Sequence, residues 1–393
     1  MADPVLVVYG DAFQDVAYDF GLFHPLQPIR VRLAMDLSAA CGLLQAPGVT
    51  VAEPRPATRE ELAAVHSPAY VEAVQMLGTA GPVHELQDLA AGYGFARSDN
   101  PVFHGMDEAA SLVVGGTIMA AEAVMSGQAL HAFAPAGGLH HAHRARAAGF
   151  CIYNDPAAAI AAVRTQYGGR IAYVDVDAHH GDGVQEMFYA DSQVLTISLH
   201  ESGRYLFPGT GFTHELGEGE GRGYSVNLPL EPHTGDQQFL RAVDEVVVPL
   251  LCAFKPDLLV TQCGCDSHWL DPLTHLAATT RLWPALAGRF HALAHELCDG
   301  RWLATGGGGY DLYSVVPRAW TLLLAGMLEA ALPATLPESF LALRHQFSKQ
   351  PMAEFFLDDP PALDTAAPLH AIDDATDRAI EAVRRAVFPL HGL

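Results

Sequence analysis

Residues 171–182 read Ile-Ala-Tyr-Val-Asp-Val-Asp-Ala-His-His-Gly-Asp. The run opens as a short, continuously apolar, β-rich segment and ends in acids and histidines. Continuous rather than alternating apolarity marks a strand buried on both faces, as in a parallel sheet. Residues two apart on a strand share a face, so Asp175, Asp177 and His179 can project together. Carboxylates and imidazoles this dense at the end of a buried strand are costly to bury without a ligand. Aspartate oxygen with histidine nitrogen is half of a zinc or iron site.

The same pattern recurs along the chain. Leu6–Tyr9, Val194–Leu199, Leu258–Cys263 and Trp302–Thr305 are apolar runs that stop at Gly, Asp, His or Cys. Between them, Met106–Met125, Gln237–Phe254 (behind an Asp236 cap) and Arg281–Leu297 read as helices. Alternation of this kind predicts a doubly wound α/β sheet, with the chemistry at the carboxyl ends of the strands. The loops Ala80–Pro101, His200–Gly223 and Thr305–Tyr310 are long enough to be functional. Composition shifts only near the C-terminus, which predicts one catalytic domain over 1–345 and an extension, 346–393, packed on it. In that extension Pro351–Pro368 reads as an acidic surface meander and Asp373–Phe388 as a closing helix.

Half of the 393 residues are hydrophobic, ample for a large core, and the net charge is -23 from 22 basic and 45 acidic residues. A field of that sign excludes nucleic acid and anionic membranes as main partners. No cleavable leader and no bilayer-spanning run is apparent, so the cytoplasm is expected. The six cysteines lack C-x-x-C spacing and read as buried thiols. Histidine stands out, with 20 residues against 22 Lys and Arg.

Three further segments carry chemistry. Cys263-Gly-Cys-Asp266-Ser-His268 follows an apolar strand; Asp266 alone could be a helix cap, but it would complete a three-ligand site with Asp177 and His179, leaving a fourth position open for water. Gly137-Gly-Leu-His140-His141-Ala-His143 offers a proton-handling pair, with Asp175 and Asp182 as the acids to sit behind the rings; His143 reads as an exposed bystander. Thr305-Gly-Gly-Gly-Gly-Tyr310 lets the backbone approach a ligand, lacks the Lys-Ser/Thr of a phosphate loop, and ends on a tyrosine able to donate to an oxyanion.

Together these segments resemble the arginase-like metal hydrolases, and within them the histone deacetylase family, most of all the bacterial acetoin-utilisation (AcuC-type) deacetylases. The resemblance runs from Asp11 to Trp320. It includes the His24-Pro25 to Arg30 segment, Asp99-Asn100-Pro101, Gly149-Phe150-Cys151 to Asn154-Asp155, and Phe207-Pro208-Gly209-Thr210-Gly211. It implies a single-domain, three-layer α/β fold with a central, mainly parallel, eight-stranded sheet, and hydrolysis of an acetyl-lysine amide.

By that resemblance Asp177, His179 and Asp266 hold zinc, with ferrous iron the alternative, which polarises the acetyl carbonyl and activates water. His141 is the general base and later acid, His140 its electrostatic partner, Asp175 and Asp182 their supports, and Tyr310 the oxyanion donor. Phe150 and Phe207, with Gly149, Gly308 and Leu273, line a substrate tunnel; Asp99 is its rim carboxylate, and Arg30 the base of an acetate channel. Potassium is implied at an inner set, Asp175, Asp177, His179, Ser198 and Leu199, and an outer set, Phe188, Asp191, Val194 and Tyr224.

Dinuclear ureohydrolase chemistry needs carboxylates where this chain has Gly181 and His268. Acetylpolyamine hydrolysis and a catalytically silent acetyl-lysine binding module are the remaining rivals. The expected partner is an acetylated protein, an acyl-CoA synthetase among the candidates. The lack of a basic tail argues against chromatin. Oligomeric state is not legible.

Overall fold

The apolar runs become strands buried along their whole length. The computed structural model describes residues 3–95, 99–349, 353–358 and 369–393. Its strands are β1 (Val5–Val8), β2 (Val49–Ala52), β3 (His131–Ala134), β4 (Ile171–Asp175), β5 (Val194–Glu201), β6 (Ser225–Leu230), β7 (Leu258–Gln262) and β8 (Trp302–Thr305). They form one eight-stranded parallel sheet in the order β2-β1-β3-β8-β7-β4-β5-β6. The last two strands in the chain close the gap between a β2-β1-β3 half and a β4-β5-β6 half. That brings the loops after β3, β4, β7 and β8 together at one edge.

Alternation along each strand divides its side chains between two cores. Val5, Val7, Phe133, Val174 and Ile197 face one layer, with helices Ile29–Ala40, Leu282–Leu297 and Val315–Met327 packed there. Leu6, Val8, Ala132, Tyr173 and Val260 face the other, covered by Pro68–Ala80, Met106–Met125 and Asp155–Gln166. The three-layer α/β architecture follows from that division.

Several details depart from the sequence reading. Three strands were not foreseen: β2 is half-exposed at one margin, β3 has only four residues, and β6 carries polar residues and Pro229 at the other margin, where a missing N–H is tolerated. Asp236 begins its helix but does not cap it, because its carboxylate accepts from the Thr279 N–H (2.7 Å) and hydroxyl (2.6 Å). The helix then widens into a π-turn over Val243–Val247, just before Pro249, which has no N–H to continue an α-helical ladder. Short helical turns, His84–Leu86 and Gln87–Gly92, occupy the expected Ala80–Pro101 loop.

Met106–Met125 is, against the sequence reading, long and apolar enough to cross a bilayer, but most of it is buried inside the fold, which accounts for its composition. Of the expected surface meander, 351–352 and 359–368 lie outside the described residues. The part that is described is docked: Asp358 accepts from Thr280 N (2.8 Å) and meets His268 Nε2 (2.9 Å) and Arg318 (3.4 Å). The last helix begins at Leu369 rather than Asp373 and buries Ile372, Ile380, Val383 and Val387.

One buried histidine makes stability pH-dependent. His66 Nε2 accepts from the Asn154 N–H (3.0 Å) while its Nδ1–H donates to the His143 carbonyl (3.0 Å), an arrangement only the neutral ring can make. Burial pushes its pKa down to about 4, against about 6.5 in the unfolded chain. Its contribution is therefore fully present above about pH 6.5 and is lost as pH falls toward 4. In His66→Gln the unfolding free energy should vary less steeply over this range, by about one proton or about 1.4 kcal/mol per pH unit. Urea titrations at several pH values test this, and parallel slopes for the two proteins would contradict it.

Candidate active site

Asp175 at the end of β4 is in register with Gln262 at the end of β7, so the chain leaves both strands side by side. Two residues beyond Asp175 lies Asp177, then His179; four beyond Gln262 lies Asp266. His179 Nδ1 sits 3.1 Å from Asp177 Oδ1 and 2.8 Å from Asp266 Oδ2. One donor atom from each of the three buried side chains lies within 4.8 Å of the others. Burial acts against the charged form of His179, but the two carboxylates outweigh it and hold the pKa well above the ordinary value. Asp177 is held well below the carboxylate range despite its burial, chiefly by cationic His140 and by His179. Burial and the charge of Asp177 push Asp266 up to about 6. Convergent O, N and O donors in a buried pocket fit a divalent cation in place of the His179 proton.

Glycines make room for this cluster. A Cβ on Gly308 would lie 2.1 Å from Asp266 Oδ2, and one on Gly264 2.2 Å from Asp177 Oδ2. The Gly308 N–H also donates to Asp177 Oδ2 (2.6 Å), as does the Gln262 amide (2.7 Å).

The loop after β3 supplies the paired histidines. It is pinned by Asp155, which accepts from Gly138 N (2.9 Å) and Leu139 N (2.8 Å), and by Asn154, whose amide donates to the His140 and Ala142 carbonyls. His140 Nδ1 meets Asp175 Oδ2 at 2.7 Å, where Tyr173 also donates (2.7 Å), and His141 Nδ1 meets Asp182 Oδ1 at 2.7 Å. The two Nε2 atoms converge to 3.0 Å. The rings differ in charge. Burial opposes protonation of His140, yet Asp175 and Asp177 raise it to about 9. Burial and then the cationic His140 lower His141 to about 4, despite Asp182. His143 is not the exposed bystander expected: it pairs with Glu186 and approaches Asp182 (3.4 Å), and these acids raise it to about 9 against burial.

Phe150 and Phe207 stand over the cluster, Phe150 edge-on to Tyr310 (centroids 5.7 Å apart) and Phe207 edge-on to His141 (5.0 Å). Gly149 lies beneath them, where a Cβ would be 2.3 Å from the His141 ring and 2.9 Å from Phe207. Burial and the charges of Asp266 and Asp177 keep the Tyr310 hydroxyl protonated, its pKa well above the ordinary value. Asp99 lines a wider cavity outside, together with Phe207, His143, Arg146, Glu186 and Glu218. Leu273 is half-buried on the loop beyond Asp266, its N–H donating to Asp271 (2.9 Å).

Arg30 is buried, donates to the carbonyls of Gly307 (2.6 Å) and Gly309 (3.2 Å), and has no ion-pair partner among the described residues. It lines both the pocket beside His140, His141 and Asp177 and a cavity of about 350 Å³, as do Leu26 and Leu139. Of the inner potassium set, Asp175 and Ser198 are directly in register across β4 and β5. In the outer set Asp191 N donates to the Phe188 carbonyl (3.0 Å), and the Asp191 and Tyr224 carbonyls already accept from Val194 N (3.4 Å) and Thr196 N (2.8 Å).

The sequence reading missed Gln262 and Tyr173, which hold the aspartates from within the strands. Their signal was position alone, a polar residue at or beside a strand end.

Comparison with known proteins places the chain in a family. The family model described as histone deacetylase domain matches residues 24–327. The acetoin utilization protein AcuC of Bacillus subtilis is 48% identical over 321 residues, 81% of each chain. AcuC of Staphylococcus aureus is 40% identical over 322 residues, 82% of this chain and 81% of that one. The crystal structure of an HDAC homolog from Aquifex aeolicus superposes with a TM-score of 0.82 at 32% identity, covering 96% of this chain and 100% of that one.

The space at Gly308 is open to test. Gly308→Ala should fold but displace Asp266 and Asp177, weakening metal affinity by about 10–100-fold with a parallel loss of activity. Metal content after dialysis and a thermal melt check this; a variant that retains metal and turnover would refute it.

Proposed function

The chain belongs to the histone deacetylase family of acetyl-amide hydrolases, and on that footing we propose that it removes the acetyl group from acetylated lysine side chains of cytoplasmic proteins, with zinc held by Asp177, His179 and Asp266. The observation that carries this reading is the unequal pair His140 and His141, 3.0 Å apart beside the three-ligand cluster. An ion held there would polarise the acetyl carbonyl and the attacking water.

The rest is work for the protein's own groups. His141 is neutral, with Nδ1–H fixed on Asp182, so its Nε2 lone pair takes the proton of the attacking water. As the C–N bond breaks, the same nitrogen returns that proton to the leaving lysine amine. His140, kept cationic by Asp175 and Asp177, stabilises the negative charge developing on the acyl oxygen and the water. Tyr310 donates its hydroxyl to the same oxyanion. Phe150 and Phe207 flank an unbranched methylene chain, and Asp99 holds the substrate backbone at the rim. Arg30 draws the acetate product into the cavity behind the site. Potassium ions at the inner and outer sets belong to the same reading.

The acidic rim of Asp99, Glu186 and Glu218 suits any cationic substrate, so acetylated polyamines are the second reading. The protein reading predicts a kcat/KM on acetyl-lysine peptides at least about tenfold above that on acetylspermidine, a difference of about 1.4 kcal/mol. Equal turnover of the two would remove it in favour of small amines.

The mechanism predicts that His141→Ala lowers kcat by about 10²–10⁴-fold with zinc content unchanged. Tyr310→Phe should lower kcat by about 10²–10³-fold with little change in KM. Full activity in either variant would sink the roles assigned here.

A further inference from the structure

At the opposite edge of the sheet, where the strands begin, four side chains from three parts of the chain converge. Asp3 lies on the approach to β1, and His131 is the first residue of β3. His291 and His295, four apart on the Leu282–Leu297 helix, share one helix face. One donor atom from each lies within 4.8 Å of all the others. Asp3 Oδ2 is 3.1 Å from His295 Nε2, 3.7 Å from His291 Nε2 and 3.7 Å from His131 Nε2. The rings pack around one another, with His131 4.9 Å from His291 and 5.3 Å from His295 between centroids.

His131 supplies the second, independent observation. It is fully buried, and neither ring nitrogen makes a hydrogen bond of normal geometry, although the Gly300 backbone lies close to the ring. Buried polar atoms are nearly always paired, so an imidazole with both nitrogens unsatisfied and one aimed at two further imidazoles and a carboxylate calls for an explanation.

We propose that Asp3, His131, His291 and His295 form a second metal site, which takes Zn²⁺ as a structural ion. Three imidazole nitrogens and one carboxylate oxygen are a donor set that suits zinc and not the all-oxygen shells of Mg²⁺ or Ca²⁺. Four protein ligands would complete a tetrahedron and leave no position for water or substrate, unlike the three-ligand cluster at the other edge. None of the four lines the cavities at that edge. The ion would tie the N-terminal lead-in and the Leu282–Leu297 helix to the start of β3, which pairs with β1 and β8 through His131 itself.

The test is metal stoichiometry on the full-length protein carrying no affinity tag of histidines. After chelator stripping, Zn²⁺ is titrated by calorimetry, and bound metal is counted by mass spectrometry after buffer exchange. Wild type should hold two equivalents per chain. His291→Ala/His295→Ala, which alters only the partly exposed helix face, should hold one, keep kcat/KM within twofold of wild type, and lose part of the rise in Tm that zinc gives wild type. Should the double variant fold poorly, Asp3→Asn gives the same comparison from the chain terminus. Asp266→Ala, which damages only the other cluster, should retain an equivalent that His291→Ala/His295→Ala lacks. Equal zinc counts and equal zinc-induced Tm shifts in wild type and the double variant would overturn the proposal, leaving the cluster as a His–Asp ion pair that binds protons alone.

Discussion

Three carboxylates without solvent exposure, Asp175, Asp177 and Asp266, are packed at the ends of two neighbouring strands. Burying that much negative charge is prohibitive unless every oxygen is met. Much of the surrounding structure meets them. Asp175 accepts from Tyr173, His140 and the Asp177 N–H. Asp177 accepts from the N–H groups of His179 and Gly308 and from Gln262. Asp266 accepts from Ala178 N and meets His179. These bonds cross from β4 to β7 and to the loop after β8, so the parallel register of the sheet and the glycine run are conditions for tolerating the charge. A cation at the centre would complete what the hydrogen bonds begin.

The same acids separate two chemically identical neighbours. His140 faces Asp175 and, within 3.9 Å, Asp177. His141 has Asp182 alone, and Asp182 also serves His143, itself cationic between two acids. Once His140 is charged, its field further discourages a proton on His141. Groups pushed apart in this way mark an acid and base assignment. His143, though outside the pair, shapes it by sharing the acid on which His141 relies.

What could be read from sequence was whatever lay contiguous. Asp175, Asp177, His179 and Asp182 fall in one run, and the paired histidines and the glycine loop announce themselves as blocks. Five strands were legible because each opens on a run of apolar, β-rich residues. β2 and β6 were not, because marginal strands carry exposed or polar side chains, and β3 opens on a histidine and holds two alanines, so no β-rich apolar run marks it. Gln262 acts across strands, at a separation no spacing reveals, whereas Tyr173 shares a face with Asp175 two residues on and was read only as part of an apolar run. The histidine cluster at the far edge joins residues 3, 131, 291 and 295; only its i, i+4 pair on one helix left a mark in the sequence.

The two positions that distinguish this site from a dinuclear one are decided by space and partners. A Cβ on Gly181 would fall 2.4 Å from Asp175 Oδ2, the atom that holds His140. No carboxylate could be built there without dislodging the support of the histidine pair. His268, the other position, is fully buried and turned toward Asp358 at 2.9 Å, and its Nδ1 accepts from Leu270 N, so neither nitrogen is free for a metal. Asp358 in turn is held by Thr280 and Arg318, which ties the segment 353–358 to the loop that carries Asp266. A second metal and a supported histidine pair are thus competing uses of the same volume. By placing glycine at 181, this chain leaves that volume to the carboxylate that supports the histidine pair.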